Sequence, residues 1–475
     1  MLFNSLNYIL LFLPVTAALY AIIRALSVTS AKLFMIAASA YFYVYMTWSG
    51  APVLVLSCII SYSAYCLIRS GKHRKAALSV GVIANVITLC ALKYNHFIPA
   101  GASDAGDFLH AYGMPLAVSF FTFQQISFLV DSYKGKIGSV GIIDYLYYIL
   151  FFPKMIAGPI TRWNDLMPQT NSREMVKSSM LLAGLTVISI GLFKKVVLSG
   201  LFARYADVGY AHTDTLNFIE AWVTTFSYTA QIYFDFSGYS DIAIGSALLL
   251  GIRLPDNFNS PYKAVNIRDF WNRWHISLST WLRDYVYIPL GGSRKGLPRT
   301  ISNLLITFMI SGAWHGSEMN FIIWGLMHGT ATAINVLWER SGLSMPSIVG
   351  WLITFLFINF SWIPFRAESV MSAYELFSAM LKPDVNELMG WVREGHYLSA
   401  NLIDSIFSPS QITLYPVIYT SIALIVVFTI KNTAQIIHKG DVSFIMTSLS
   451  AIAFITSVIF MFGGASAATF IYSAF

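Results

Sequence analysis

The chain has 475 residues, of which 53 (11%) are charged, 56% are apolar and 15% are aromatic; its net charge is +7 and its mean hydropathy is +0.63. Soluble globular proteins carry about 25% charged residues, and half that supply cannot cover the surface of a soluble chain this long. A cytosolic enzyme, a disordered chain and a secreted disulfide scaffold are excluded, which leaves an all-α polytopic membrane protein, read as a single membrane domain over 1–475.

Charge-free runs mark the spans, because about 20 apolar residues in a helix cross the hydrocarbon core. In chain order they are 7–23, 33–68, 76–92, 108–130, 178–193, 300–317, 319–338, 341–365, 405–430 and 442–475. Ser49-Gly50-Ala51-Pro52 interrupts the 33–68 run, which predicts a hairpin of two spans. Two further stretches are weaker: 145–161 is broken by Pro153 and Pro159, and 218–252 carries Asp235 and Asp241. The total predicts eleven or more transmembrane helices, some short or re-entrant. Cys58, Cys66 and Cys90 lie inside apolar stretches without metal spacing, so they read as packing or lipid-facing residues, and no metal site is expected.

Orientation follows the bias of Lys and Arg toward the cytoplasm. Residues 69–75 carry Arg69, Lys72, Arg74 and Lys75 and no acid, which places them inside and the N-terminus outside. With no charge near Met1 and no small-residue cleavage site, the first span is expected to stay in the mature protein. The loop at about 367–404 holds six acids against Lys382 and Arg393 and fits the periplasmic side. Lys431 and Lys439 then fall inside, and the last span delivers a periplasmic C-terminus.

The basic residues are unevenly placed. Residues 253–299 contain eight Lys and Arg against Asp256, Asp269 and Asp284, five of the seven net positive charges in about a tenth of the chain. A solvated cytoplasmic loop would carry such charges, but it would not also carry Trp271, Trp274, Trp281, Tyr285 and Tyr287. From Asp269 to Tyr285 the pattern has helical period. Trp271, Trp274, His275, Leu278, Trp281, Leu282 and Tyr285 fall on one face at about 100° per residue. Asp269, Arg273, Thr280, Arg283 and Asp284 fall opposite, and Pro289 and Gly291-Gly292 end the pattern. This predicts an amphipathic helix at the cytoplasmic boundary with a histidine on its aromatic face. The charge excess therefore reads as a membrane-side surface, with no nucleic-acid partner.

A lone histidine on an apolar face is ordinarily a hydrogen-bonded core residue. His315 changes the weighing, because it lies in Ile310-Ser-Gly-Ala-Trp-His-Gly316, near the end of a charge-free span. Ionisable residues at membrane depth are costly and point first to function. His328, in Trp324-Gly-Leu-Met-His-Gly329, reads more readily as a packing residue of the next helix.

Phe270-Trp-Asn-Arg-Trp-His-Ile-Ser-Leu-Ser-Thr-Trp-Leu-Arg-Asp-Tyr-Val-Tyr-Ile-Pro-Leu-Gly-Gly292 resembles the signature of the membrane-bound O-acyltransferase (MBOAT) family. Within it, the chain is similar to the bacterial branch containing the alginate O-acetyltransferase membrane subunit. Val118-Ser-Phe-Phe-Thr-Phe-Gln124, Phe152-Pro-Lys-Met-Ile-Ala-Gly-Pro159, Gln231-Ile-Tyr-Phe-Asp-Phe-Ser-Gly-Tyr-Ser-Asp241, Ala313-Trp-His-Gly316 and the His328 segment carry the likeness further. The resemblance implies helices around a central tunnel that joins a cytoplasmic donor side to a periplasmic acceptor side. Residues of about 253–330 would form the catalytic centre, and Trp271, Trp274, Trp314 and His328 are candidates for the tunnel lining. The family's invariant histidine maps to His315 and its second polar residue to His275. The implied donor is an acyl thioester, acetyl-coenzyme A, used as a substrate with no tightly bound cofactor. Some members or their partner peptides end in Phe-x-Tyr-Phe-x-Phe, implicated in passing the acyl group outward. Here the chain ends Phe470-Ile-Tyr-Ser-Ala-Phe475, so Tyr472 is a relay candidate, with Ser473 a departure from the pattern and an ordinary interfacial tyrosine the alternative.

Histidine has an ordinary pKa near 6.5 and can take and return a proton near pH 7. His315 is therefore assigned as general base, and His275 as a second acid/base or a donor that polarises the thioester carbonyl. Arg273, Arg283, Arg294 and Lys295 are candidates for the coenzyme A phosphates, the plain alternative being positive-inside anchoring. Asp235 and Asp241 would pair with these arginines inside the membrane body. No Gly-x-Ser-x-Gly elbow and no Walker A loop occurs. The expected activity is O-acetylation of an exported polysaccharide, alginate-like, at the bacterial inner membrane, with membrane lipid around the chain and a periplasmic SGNH/esterase-like acetyltransferase as partner. Peptidoglycan and cellulose are alternative acceptors for the same chemistry. A secondary transporter and a non-catalytic secretion-complex subunit are readings of other classes.

Overall fold

The computed structural model describes residues 2–97, 115–156, 158–383, 421–422, 425, 428, 432–435 and 443–463. Tyr472, most of the acidic loop (384–404) and the basic residues Lys431 and Lys439 lie outside the described residues. Among those described there is no β-strand, as expected where a backbone in lipid must satisfy its own hydrogen bonds.

The N-terminal part is a row of long helices: α1 (Leu13–Leu26), α2 (Val28–Met46), α3 (Ala51–Arg69) and α4 (Arg74–Lys93). The hairpin expected within 33–68 is present as α2 and α3. Pro52 opens α3 within its first turn, where the missing N–H costs nothing. α5 (Val118–Tyr133) is buried almost throughout. The expected weak span over 145–161 is instead α6 (Ile142–Leu150) followed by a single turn at Phe152–Met155. Pro153 sits in that turn's first residues, and the two elements together are too short to cross a bilayer.

The middle of the fold is α9 (Phe218–Leu249), which starts in a capping box: Asn217 Oδ1 accepts from Glu220 N–H at 2.9 Å, and Glu220 Oε2 accepts from Asn217 N–H at 3.2 Å. It packs most densely on α7 (Ser178–Leu192), and also on α8 (Ser199–Ala211). Glycines seven residues apart on both helices permit the close approach. A Cβ at Gly191 would lie 2.7 Å from the carbonyl oxygen of Gly238, and one at Gly184 would lie 2.9 Å from that of Gly245. Small residues at a crossing let backbones approach where lipid offers no hydrophobic drive.

α10 (Ile267–Trp271) and α11 (Ile276–Leu282) precede α12 (Leu297–His315), α13 (Met319–Ser341), α14 (Ser347–Arg366), α15 (Val370–Met380) and α16 (Phe444–Phe462). α12 and α13 are a tight antiparallel pair. α15 occupies the start of the expected loop at 367–404, burying Leu376 and Met380. By length and composition, seven of the described helical stretches can cross a membrane: Asn7–Leu26, Ala51–Arg69, Arg74–Lys93, Ser178–Ala211, Met319–Ser341, Ser347–Arg366 and Ile445–Phe462. The expected eleven or more goes beyond what that criterion assigns. The chain is a multi-pass membrane protein.

The aspartates of α9 correct one expectation. Asp235 pairs with Lys195, and its Oδ1 also accepts from Ser199 Oγ at 3.2 Å. Asp241 pairs with Lys194 at 2.7 Å and accepts from Thr433 Oγ1 at 2.7 Å. Both lysines come from the π-helical turn Phe193–Leu198 that follows α7, not from the arginines of 253–299. Helix adjacency brings α7 to α9 and decides the pairing.

Candidate active site

The segment expected as one amphipathic helix from Asp269 to Tyr285 is broken. α10 ends at Trp271 and α11 begins at Ile276. His275 between them is left-handed, with φ 42° and ψ 52°, a conformation that costs a non-glycine residue about 1–3 kcal/mol and persists only if its surroundings impose it. Those surroundings are the loop after α9. Asn259 N–H donates to the Arg273 carbonyl at 2.9 Å, and Ile276 N–H donates to the Asn257 carbonyl at 3.0 Å. The first N–H groups of a helix lack intrahelical acceptors, and here Asn257 supplies them to α11. The expected faces hold for most positions despite the break: Trp271, Trp274, His275, Leu278, Trp281 and Leu282 are buried, while Tyr285, expected on the same face, is only partly buried, Arg273 and Asp284 are partly exposed and Arg283 is exposed.

His315 is the last residue of α12, with Gly316 beyond it in extended backbone. The imidazole is buried, edge-on to Trp324 at 5.0 Å and Phe365 at 5.1 Å. Its neighbour Trp314 connects the two histidines: ring centroids lie 4.7 Å from His315 and 6.4 Å from His275. Trp314 in turn stacks on Phe123 at 5.1 Å, and Phe123 stacks on Trp281 at 4.0 Å. Residues 40 apart in sequence thus flank one indole. His275 also meets Phe236 of α9 edge-on at 4.6 Å.

The remaining aromatic candidates join the same cluster. Trp271 is 5.1 Å from His328, and Trp274 is 5.0 Å from Trp362. His328 is fully buried, with Nε2 3.1 Å from Ser361 Oγ. That hydroxyl gives its proton to the Ile358 carbonyl, so it accepts from Nε2–H, while the buried Nδ1 has no hydrogen-bond partner among the described residues.

Two residues at the end of α4, outside every motif described above, join the site. Tyr94 Oη donates to the Ala313 carbonyl at 2.6 Å, and Lys93 Nζ donates to the Trp314 carbonyl, its ammonium 5.9 Å from the Trp314 ring. Helix-end carbonyls carry partial negative charge that a cation stabilises. These two donors hold the turn that presents His315. No local signal marks them, because a Lys-Tyr pair after an apolar run reads as an interfacial anchor. Tyr94→Phe and Lys93→Met are each expected to lower turnover several-fold with substrate KM little changed. Steady-state kinetics on purified protein checks this, and unchanged turnover in both variants would contradict it.

The candidate phosphate ligands are not gathered equally. Arg273 is held by Asp269 at 2.7 Å and bonds the Asn259 carbonyl at 3.3 Å. Arg283 and Arg162 share Asp284, each at 2.7 Å, and Arg162 also lies over the Tyr285 ring. Arg294 and Lys295 are exposed. Burial opposes charge on Asp284, but hydrogen bonds from Arg283 and Arg162 outweigh it and hold the carboxyl below its ordinary value. A folded value below the unfolded one makes the cluster's stabilisation complete above the ordinary carboxylate range, to be lost as pH falls through the lowered value. Arg162→Met should remove part of that acid dependence, read as melting temperature against pH in detergent; identical curves would exclude a contribution.

A family model for MBOAT, the membrane-bound O-acyltransferase family, matches residues 90–373, the stretch that holds both histidines and the aromatic cluster. The chain belongs to the membrane-bound O-acyltransferase family and is an O-acyltransferase. It is similar to the peptidoglycan O-acetyltransferase of Helicobacter pylori, 35% identical over 100% of this chain and 98% of that protein. It is also similar to the probable alginate O-acetylase AlgI of Pseudomonas aeruginosa, 36% identical over 80% of this chain and 75% of that protein. The teichoic acid D-alanyltransferase of Bacillus subtilis is 30% identical over 53% of this chain and 69% of that protein.

Proposed function

We propose that the protein moves acetyl groups from cytoplasmic acetyl-coenzyme A across the bacterial inner membrane for O-acetylation of an envelope polysaccharide. The observation that supports this most is the pair His275 and His315 flanking Trp314, both buried.

In this reading His315 removes the proton from an acceptor hydroxyl as the oxygen attacks the thioester carbonyl. The C–O bond forms, the C–S bond breaks, and the proton goes to the departing thiolate, giving an ester and free coenzyme A. His275 serves as a second acid/base or as a donor to the carbonyl oxygen. Arg283, Arg294 and Lys295 would meet the coenzyme A phosphates, with Arg273 contributing if it leaves Asp269. Tyr472 is retained as an acyl relay toward a periplasmic SGNH/esterase-like partner.

Two acceptors are weighed. Alginate-like exopolysaccharide fits the AlgI likeness, but that match spans 75% of the relative, whereas the peptidoglycan O-acetyltransferase of H. pylori matches along 98% of its length. Peptidoglycan is therefore the preferred acceptor. The test is alkali-released acetate from peptidoglycan and from extracellular polysaccharide, with and without this protein. Loss from peptidoglycan supports the first acceptor and loss from exopolysaccharide the second. Unchanged acetate in both would reject the proposal.

A further inference from the structure

Asn257 lies in the loop between α9 and α10, 18 residues before His275. Its side-chain oxygen Oδ1 accepts from Ser277 Oγ at 2.8 Å and from Ser277 N–H at 3.3 Å, and sits 3.1 Å from His275 Nδ1. Its Nδ2 donates to Ser240 Oγ at 3.0 Å. Amide oxygen and nitrogen are told apart by their partners. A backbone N–H can only donate, so the atom facing Ser277 N–H must be the oxygen. That same oxygen faces Nδ1. An amide oxygen can only accept, so Nδ1 carries a hydrogen, and a neutral imidazole has one N–H.

We propose that Asn257 is the positioning residue of His275: it holds the imidazole as the Nδ1–H tautomer, with the lone pair on Nε2, the nitrogen through which His275 acts in acyl transfer. This rests on the reading that His275 takes part in the reaction, and it narrows that role. A neutral imidazole with its lone pair on Nε2 accepts a proton there and cannot donate a hydrogen bond from there. His275 therefore acts as a proton acceptor, and the carbonyl-polarising role would need the imidazolium. Ser277 secures the arrangement, since its Oγ donates to Asn257 and accepts from Ile160 N–H at 3.0 Å. The amide is thus oriented from three elements: α9 through Ser240, α11 through Ser277, and the Phe152–Pro159 segment's exit through Ile160.

Other titratable groups surround this contact. His315 lies across Trp314 from His275, and Lys93 lies against the same indole. On its far side Asn257 lines a small polar pocket with Lys194, Asp241 and Asp256. Lys194 and Asp241 are paired with each other, so their net field at Asn257 is small.

The experiment measures kcat, KM for acetyl-coenzyme A and the pH profile of the purified full chain carrying Asn257→Ala, Asn257→Asp, His275→Ala or His315→Ala. Asn257→Ala is expected to lower kcat about 10- to 100-fold, the scale on which losing the orienting partner of a metal-bound histidine acts, with KM unchanged. Asn257→Asp keeps an acceptor toward Nδ1–H and Ser277, so it should retain more activity than Asn257→Ala. Its carboxylate beside the imidazole should move the acid limb up by about one pH unit, a displacement that a merely structural staple would not cause. Should Asn257→Ala fail to fold, the Asn257→Asp profile decides alone. A folded Asn257→Ala protein with wild-type kcat, or an Asn257→Asp protein with an unmoved acid limb, overturns the inference. Full activity in both histidine variants would instead overturn the catalytic reading on which it rests.

Discussion

Alanine at position 315 is expected to leave a protein that inserts and folds but transfers acyl groups about 10³-fold more slowly, the scale on which a positioned general base contributes. The stability change should be modest for a buried site. His315 is the final residue of α12, so its loss removes ring contacts with Trp314, Trp324 and Phe365 without interrupting a helical hydrogen-bond ladder. His315→Gln separates chemistry from packing, because it keeps a polar side chain of similar reach that cannot act as a base near neutral pH. Polymer-bound acetate and melting temperature in detergent are the two readouts. A folded His315→Ala protein with wild-type acetylation would end the assignment of this residue as base.

Replacing Asp235 by alanine is expected to cost about 3–5 kcal/mol, because it breaks a buried ion pair by removing one of its two charges. Lys195 is 0% and Asp235 1% exposed, and both stand where α9 meets the chain leaving α7. That crossing is held by glycines and cannot spread to admit water without losing its packing. The double variant Asp235→Leu with Lys195→Met should recover much of the loss, since apolar residues can replace a buried pair when both charges go together. Melting temperatures of the two singles and the double form the measurement. A double variant no better than the worse single would show that the pair has a role beyond mutual neutralisation. A loss of about this size could exhaust a domain's stability margin of about 5–15 kcal/mol, so low yield of folded Asp235→Ala protein is part of the expected result.

From 269 to 285 the chain departs from the single helix that its hydrophobic period predicts. Hydrophobic period identified the buried residues correctly, because burial of Trp271, Trp274, Leu278 and Trp281 follows from their own apolar area. It missed the break at His275, because a helix interrupted without loss of phase looks periodic. What permits the break is Asn257 and Asn259, whose groups replace the missing intrahelical acceptors and donors. Nothing local in Asn257-Phe-Asn-Ser-Pro-Tyr262 announces that use. Similarly, Asp235 and Asp241 were recognisable as costly groups in an apolar stretch, but their lysine partners were not, since only the α7–α9 contact brings Lys194 and Lys195 to them.

By itself, the sequence determined the membrane class, the α2–α3 hairpin, the buried aromatic face and the two histidines worth attention. Each of these depends on local composition, on the cost of charge in lipid or on a motif carried in contiguous residues. The tertiary fold alone decided that His275 and His315 flank one indole, that Lys93 and Tyr94 hold the carbonyls before His315, and that an asparagine 18 residues upstream orients His275. Those relations are distances between segments set by helix packing, and packing depends on the shapes of whole surfaces that no window of neighbouring residues contains. The 11% of charged residues that first indicated a membrane therefore acquires its meaning in three dimensions, as buried pairs and helix-end donors.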